Sequence, residues 1–219
     1  MCKSGGKQVL DGYRDYIAQE EKWMEKLRKA HNDNPYTVED QLVADSQVCL
    51  IFSCPGREEL IANKVCSGTT GKTLNSLLCI LNKQYKEIFN DTDKSKYSIA
   101  NASNIVHFEA LGNKSEGNKN EITNEKNINR IKDFLGNIKA LKYVILFGDT
   151  AHYLTNTVEE INPNCTVIKS KHLSMRRLNS AINEDLTGKN IEDLPEEERT
   201  HARLAVVANE IINQIKKVK

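Results

Sequence analysis

No stretch of this chain approaches the roughly 18 consecutive apolar residues that a membrane span requires. The first residues, MCKSGGKQVLDGYRDY, lack the apolar core of a secretory signal, so a cytoplasmic setting and no membrane partner are expected. Neither sign of charge is in excess: 31 Lys and Arg stand against 30 Asp and Glu, for a net +1. Any nucleic-acid contact must then come from a local basic rim rather than from overall charge. No repeat and no linker divides the 219 residues, a length that one α/β domain can fill. Residues 1–45 are expected to form a helical cap at its N-terminus. Nothing in the chain points to an obligate protein partner.

The six cysteines, Cys2, Cys49, Cys54, Cys66, Cys79 and Cys165, form no C-x-x-C pair and no Cys/His set at zinc spacing. Four of them lie in or beside apolar runs, where a free thiol behaves as a small buried hydrophobe. Neither a metal nor any other cofactor is expected.

What is present alternates between strand and helix. Residues 7–31 carry Leu10, Tyr13, Ile17, Trp23, Met24 and Leu27 at the spacing of a helical apolar stripe, and Asn32, Asp33, Asn34 and Pro35 end it. VCLIFSCPG (48–56), YSIANASNIV (97–106), KYVILF (142–147) and CTVIKS (165–170) read as buried strands. Helical periods occupy 71–89, 124–139 and 195–217, the last with acidic residues in its first turn, as the helix dipole prefers. The Asn/Lys-rich stretch 112–129 reads as an exposed loop leading into the second of these. Strands separated by helices imply an α/β fold: a three-layer α/β/α sandwich around a central, mainly parallel four-stranded sheet. In such sheets ligands bind beyond the carboxyl ends of the strands. That rule singles out Ser53 to Glu59, Asn101 to Asn104, Gly148 to Thr150 and His172 to Ser174.

GTTGKT (68–73) is similar to a phosphate-binding loop, but the glycine needed five positions before Gly71 is Cys66 and no strand immediately precedes it. The small residues are better used for close backbone approach to a ligand or a neighbouring helix. Lys169, Lys171, Arg176 and Arg177 form a candidate basic rim. Lys216, Lys217 and Lys219 read as a solvated helix end.

FSCPGREELIANKVCSGTTGKTLNSLL (52–78) resembles the first motif region of the uracil-DNA glycosylase superfamily, in which thermophilic and bacterial members carry G-E-A-P-G-x-x-E followed by G-x-P-F-x-G-x-x-G-x-x-L. Pro55, Gly56, Glu59, Gly68, Gly71 and Leu74 hold the matching places. IANAS (99–103) resembles the strand ending in the Asn that reads the base edge, here Asn101. LKYVILFGDTAHYL resembles the strand–Gly–helix segment that follows, and KHLSMRR (171–177) the His-Pro-Ser loop, with Leu173 in place of proline. The resemblance spans residues 48–178, in order.

That resemblance implies a DNA glycosylase: DNA as partner, a base flipped out of the helix, and its N-glycosidic bond hydrolysed. Asn101 would read the base with one donor and one acceptor, His172 would stabilise negative charge on the leaving base, and Glu59 would be a further site carboxylate. Cys54, Pro55, Gly56 and Cys66 would line the base pocket. Gly68, Gly71, Lys171, Ser174, Arg176 and Arg177 would contact DNA, with Met175 or Leu178 as a wedge. Each has a structural alternative: a turn former at Asn101, a helix-start carboxylate at Glu59, core packing at Met175 and Leu178.

Two positions depart from the family pattern. Ser53 stands where the water-activating acid is expected, with Cys54 beside it, and a serine is a poor base unless another group activates it. Glu58, Glu59 and Glu109 are the nearest carboxylates in sequence. Cys66 stands where a phenylalanine stacks on uracil, which widens the pocket towards a modified pyrimidine such as glucosylated hydroxymethylcytosine in phage DNA, and so towards antiviral defence. A non-catalytic DNA or nucleotide binder and a free nucleoside or nucleotide hydrolase stay open as alternatives.

Overall fold

A computed structural model describes the backbone of residues 5–111 and 116–218, with side chains from residue 19 onward. Leu10, Tyr13 and Ile17 of the expected stripe, Cys2, residues 112–115 and Lys219 lie outside the described residues or side chains.

Four short apolar runs form the strands β1 (Val48–Phe52), β2 (Ser98–Asn101), β3 (Tyr143–Phe147) and β4 (Thr166–Ser170). They pair in the order β2-β1-β3-β4, every pair parallel. Alternation within the strands splits the core in two. Val48, Leu50, Phe52, Ile99, Ile145, Phe147 and Ile168 face one layer of helices. It is formed by α3 (Thr69–Gln84), α8 (Met175–Ala181) and α9 (Glu196–Val218). Cys49, Ile51, Ala100, Val144 and Leu146 face the other. That layer holds α4 (Lys119–Thr123), α5 (Glu125–Gly136), α6 (Asp149–His152) and α7 (Thr155–Ile161). The expected three-layer α/β/α architecture is therefore the one observed. Phe52 and Phe147, neighbours at the ends of β1 and β3, stack at 4.8 Å and 11°, a pair contributing about 1 kcal/mol beyond the area it buries.

The N-terminal helix α1 (Gly5–Asp33) is followed by an irregular segment that caps the β2 edge: Gln41 and Ile99 exchange backbone hydrogen bonds of 2.7 and 2.8 Å. Leu27 packs on the core, but Trp23 is 53% exposed, so the predicted stripe is not wholly buried. The helix expected over 71–89 stops at Gln84, because Tyr85 leaves helical geometry and the chain turns back through it. The exposed loop expected over 112–129 contains α4, whose Asn118 caps the helix by accepting from Glu121 N, and Asn124 caps α5 in the same way. Residues read as loop-forming act here as helix starts. A short helix α2 (Arg57–Ala62) starts beside Glu59, and α8 was not anticipated. Among the thiols, Cys49, Cys66 and Cys165 are buried, whereas Cys79 is exposed on α3.

Gly71 explains the glycine-rich stretch. A methyl group there would lie 1.7 Å from the Cys66 carbonyl oxygen and 2.4 Å from Lys94 Nζ, which itself donates to that carbonyl at 2.6 Å. The glycine lets α3 pass against the backbone of Cys66, a residue in left-handed geometry at φ 53°. Gly71→Ala should therefore destabilise the protein by about 3 kcal/mol, the upper end of overpacking costs, in urea unfolding. A loss below about 1 kcal/mol would show that this contact yields freely.

Candidate active site

Because every strand runs the same way, the segments that follow them leave the sheet at its carboxyl end, and those after β1, β2 and β4 wall a cavity of about 470 Å³. The β1 end supplies Phe52, Ser53, Cys54 and Gly56, with Glu59 from α2 and Cys66 beyond it. Asn101 ends β2, and His107 and Glu116 follow; His172, Ser174, Arg176 and Arg177 come after β4. Ten residues singled out from the sequence thus meet here. The others sit nearby in different ways. Pro55 is buried behind the wall, its carbonyl accepting from His107 N at 2.8 Å. Gly68 is the N-cap of α3, Gly71 packs on Cys66, and Met175 leans on the core from the first turn of α8. Leu178 is fully buried, which removes it as a wedge. Lys171 pairs with Glu210 of α9 in a second cavity of about 310 Å³, which shares Ser53, Glu116, His172 and Arg177 with the first.

His172 is held in one protonation form. Its Nδ1 accepts from Ser174 N at 3.0 Å, so the neutral ring carries its proton on Nε2 and can donate from there. Burial lowers its pKa below the ordinary value; the Glu116 carboxylate opposes that shift and the Arg177 guanidinium adds to it. Gly148 makes room for the ring: it has φ +91°, and a side chain there would meet His172 Cβ at 3.0 Å.

Asn101 is 3% exposed and its side-chain Nδ2 has no hydrogen-bond partner among the described residues. Such a buried donor costs about 1–3 kcal/mol when nothing satisfies it, so a ligand that accepts from it recovers that energy. The backbone of Asn101 is fixed from the far side of β2. Its N–H donates to Asp40 at 3.2 Å and its carbonyl accepts from Arg130 at 2.7 Å, while Arg130 and Asp40 form an ion pair. Burial raises the Asp40 carboxyl pKa, and Arg130 offsets only part of that.

Glu116 is the feature that sequence reasoning missed. Its Oε2 accepts from Thr150 Oγ1 at 2.9 Å and its Oε1 from Arg177 at 3.1 Å. Burial alone would raise its pKa, but these hydrogen bonds and the charge of Arg177 outweigh it and hold the carboxyl below its ordinary range. Both partners are distant in sequence, and the stretch around Glu116 reads as a solvated loop, so no local pattern marked it. His107, also missed, is bound by Glu121 at 2.9 Å. The carboxylates expected nearest the water fare differently. Glu59 accepts from Gly56 N at 3.1 Å at the start of α2, and the exposed Glu58 and Glu109 do not line the cavity. Burial pushes the thiols of Cys54 and Cys66 up to about 12, so both stay protonated at neutral pH. Among the described residues, no three His, Cys, Asp or Glu side chains gather as metal ligands, and no helix is long and apolar enough to cross a membrane.

No protein-family model matches this chain, and no curated protein matches it. Among solved structures it is similar to the solution NMR structure of a candidate uracil DNA glycosylase from Methanosarcina acetivorans. The TM-score is 0.45 at 10% identity, over 80% of this chain and 98% of that one.

The charges around His172 give a signed expectation. In an NMR titration of the imidazole resonances, His172 should protonate below 6.5, its ordinary value. Glu116→Gln removes the opposing anion and should lower the midpoint further, whereas Arg177→Ala should raise it. A midpoint above 6.5 in the unaltered protein would contradict a buried neutral ring.

Proposed function

We propose that this protein is a DNA glycosylase that takes a base flipped from DNA and hydrolyses its N-glycosidic bond. One observation carries the reading: the unpartnered Nδ2 donor of Asn101 and the Nε2–H of a neutral His172 line one cavity at the carboxyl edge of a parallel sheet. A pyrimidine edge offers the acceptor that Asn101 lacks. As the C1′–N bond breaks, electrons move onto the base, and a donor already oriented in a buried site stabilises that charge without reorganising. A neutral imidazole suits this role, since it donates without carrying charge into the pocket. Ser174, Arg176 and Arg177 of this cavity and Lys171 of the second are the groups assigned to phosphate contact, and Met175 to the wedge.

The substrate is read as a pyrimidine larger than uracil. Cys66 lies in the cavity wall, and a thiol takes up less of that space than a phenyl ring. The second, polar cavity beyond Glu116 and His172 offers donors and acceptors to a hydroxylated substituent. Such a substrate suits defence against phage DNA.

The test is an abasic-site assay on duplexes holding uracil, hypoxanthine, 5-hydroxymethylcytosine or its glucosylated form. Alkali-labile cleavage is expected on a modified cytosine, falling by about 10²–10³ in His172→Ala, the cost of removing one donor to a developing anion. Cys66→Phe should shift preference back towards uracil. Binding of duplex with no cleavage of any base would leave a non-catalytic binder, and cleavage of free nucleosides alone would make the protein a nucleoside hydrolase.

A further inference from the structure

Hydrolysis needs a group that takes a proton from water, and the positions where sequence places one do not supply it. Ser53 is an unionised hydroxyl, the Cys54 thiol stays protonated, and Glu59 is tied to the Gly56 N–H. The cavity contains one more carboxylate, Glu116.

We propose that Glu116 is the base that activates the hydrolytic water, aimed for that task by Thr150 and Arg177; this rests on the glycosylase reading. Three separate chain segments build the arrangement. Glu116 lies between β2 and α4, Thr150 is on α6 after β3, and Arg177 is on α8 after β4. Thr150 is buried and holds one carboxylate oxygen at 2.9 Å, and Arg177 holds the other at 3.1 Å. Each oxygen has two acceptor sites, so each keeps one for a water. The side chain is 34% exposed, open enough to meet that water, and it lines both cavities together with Ser53 and His172. The two hydrogen bonds and the Arg177 charge keep the carboxyl ionised against the opposing effect of burial, so it is ready to accept.

In the step itself, the water oxygen bonds to the sugar C1′ as the C1′–N bond breaks. The bonding pair leaves on the base nitrogen, facing the donor of His172. The proton released by the water passes to Glu116, and from there to the departing base or to solvent. Water and nucleotide are consumed, a hydroxylated abasic sugar and a free base are formed, and no redox partner is needed.

The experiment is single-turnover excision by the full chain, on whichever duplex the unaltered protein cleaves. Glu116→Gln keeps the shape and both contacts, since the amide oxygen can accept from Arg177 while the amide NH2 donates to Thr150 Oγ1. The rate should fall by about 10²–10⁴, the range for losing a general base, with duplex affinity and thermal unfolding unchanged. Glu116→Ala should be equally slow and should recover rate with added formate, a small carboxylate that can occupy the vacated space. A Glu116→Gln rate near that of the unaltered protein overturns the assignment, as does a slow Glu116→Ala that formate does not accelerate. If the unaltered protein excises no base from any duplex, the glycosylase reading itself fails, and this assignment with it.

Discussion

Parallel strands must be joined by crossings that return over the sheet, and each crossing leaves from the same edge. Here β1, β2, β3 and β4 all run one way, so the residues after them arrive together although more than a hundred positions separate the first from the last. The rigidity of that edge comes from burial on both faces: alternating side chains of β1 go to separate core layers, and Phe52 locks onto Phe147 where the strands end. A slip of one residue in any strand would exchange the layers that its side chains face and displace the site residues that follow it.

On that frame the site manages charge with few groups. Arg177 serves two neighbours at once: it ion-pairs with Glu116 and, by its charge, helps keep His172 neutral. Glu116 remains an anion, His172 remains a neutral donor, and the thiols of Cys54 and Cys66 remain protonated. An acceptor for a proton and a neutral hydrogen-bond donor can thus coexist in one cavity at neutral pH. Asn101 is held differently, by backbone contacts to Asp40 and Arg130 on the outer side of β2, which leaves its side chain unspent for the cavity.

Much of this arrangement was legible in the sequence. The strands announced themselves as short apolar blocks ended by Pro-Gly, Asn or Gly. The rule that ligands sit beyond their carboxyl ends then selected Ser53, Asn101 and His172 without further information. The glycine-rich 68–73 stretch was separable from a nucleotide loop by one missing glycine, and Gly71 does serve close backbone approach, to Cys66. Helix starts were harder: Asn118 and Asn124 have the chemistry of a loop and of a cap alike, and only the packing of Ile122 and Ile131 into the second core decides between them. Burial of single residues was not legible either. Trp23 and Cys79 look like core by type, yet both are exposed.

The sequence by itself determined the class of fold, the number and direction of the strands, and the edge at which a ligand would bind, because these follow from periodicity and local breakers that neighbouring residues enforce on one another. Tertiary structure alone decided which carboxylate enters the cavity, why Asn101 has a free donor, and which nitrogen of His172 carries the proton. The first two depend on pairings such as Glu116 with Arg177 and Asp40 with Arg130, whose members lie 61 and 90 positions apart. The third depends on the turn that brings Ser174 N back to the ring. No local pattern encodes such meetings, because burial and hydrogen bonding act on distance in space and not on distance along the chain.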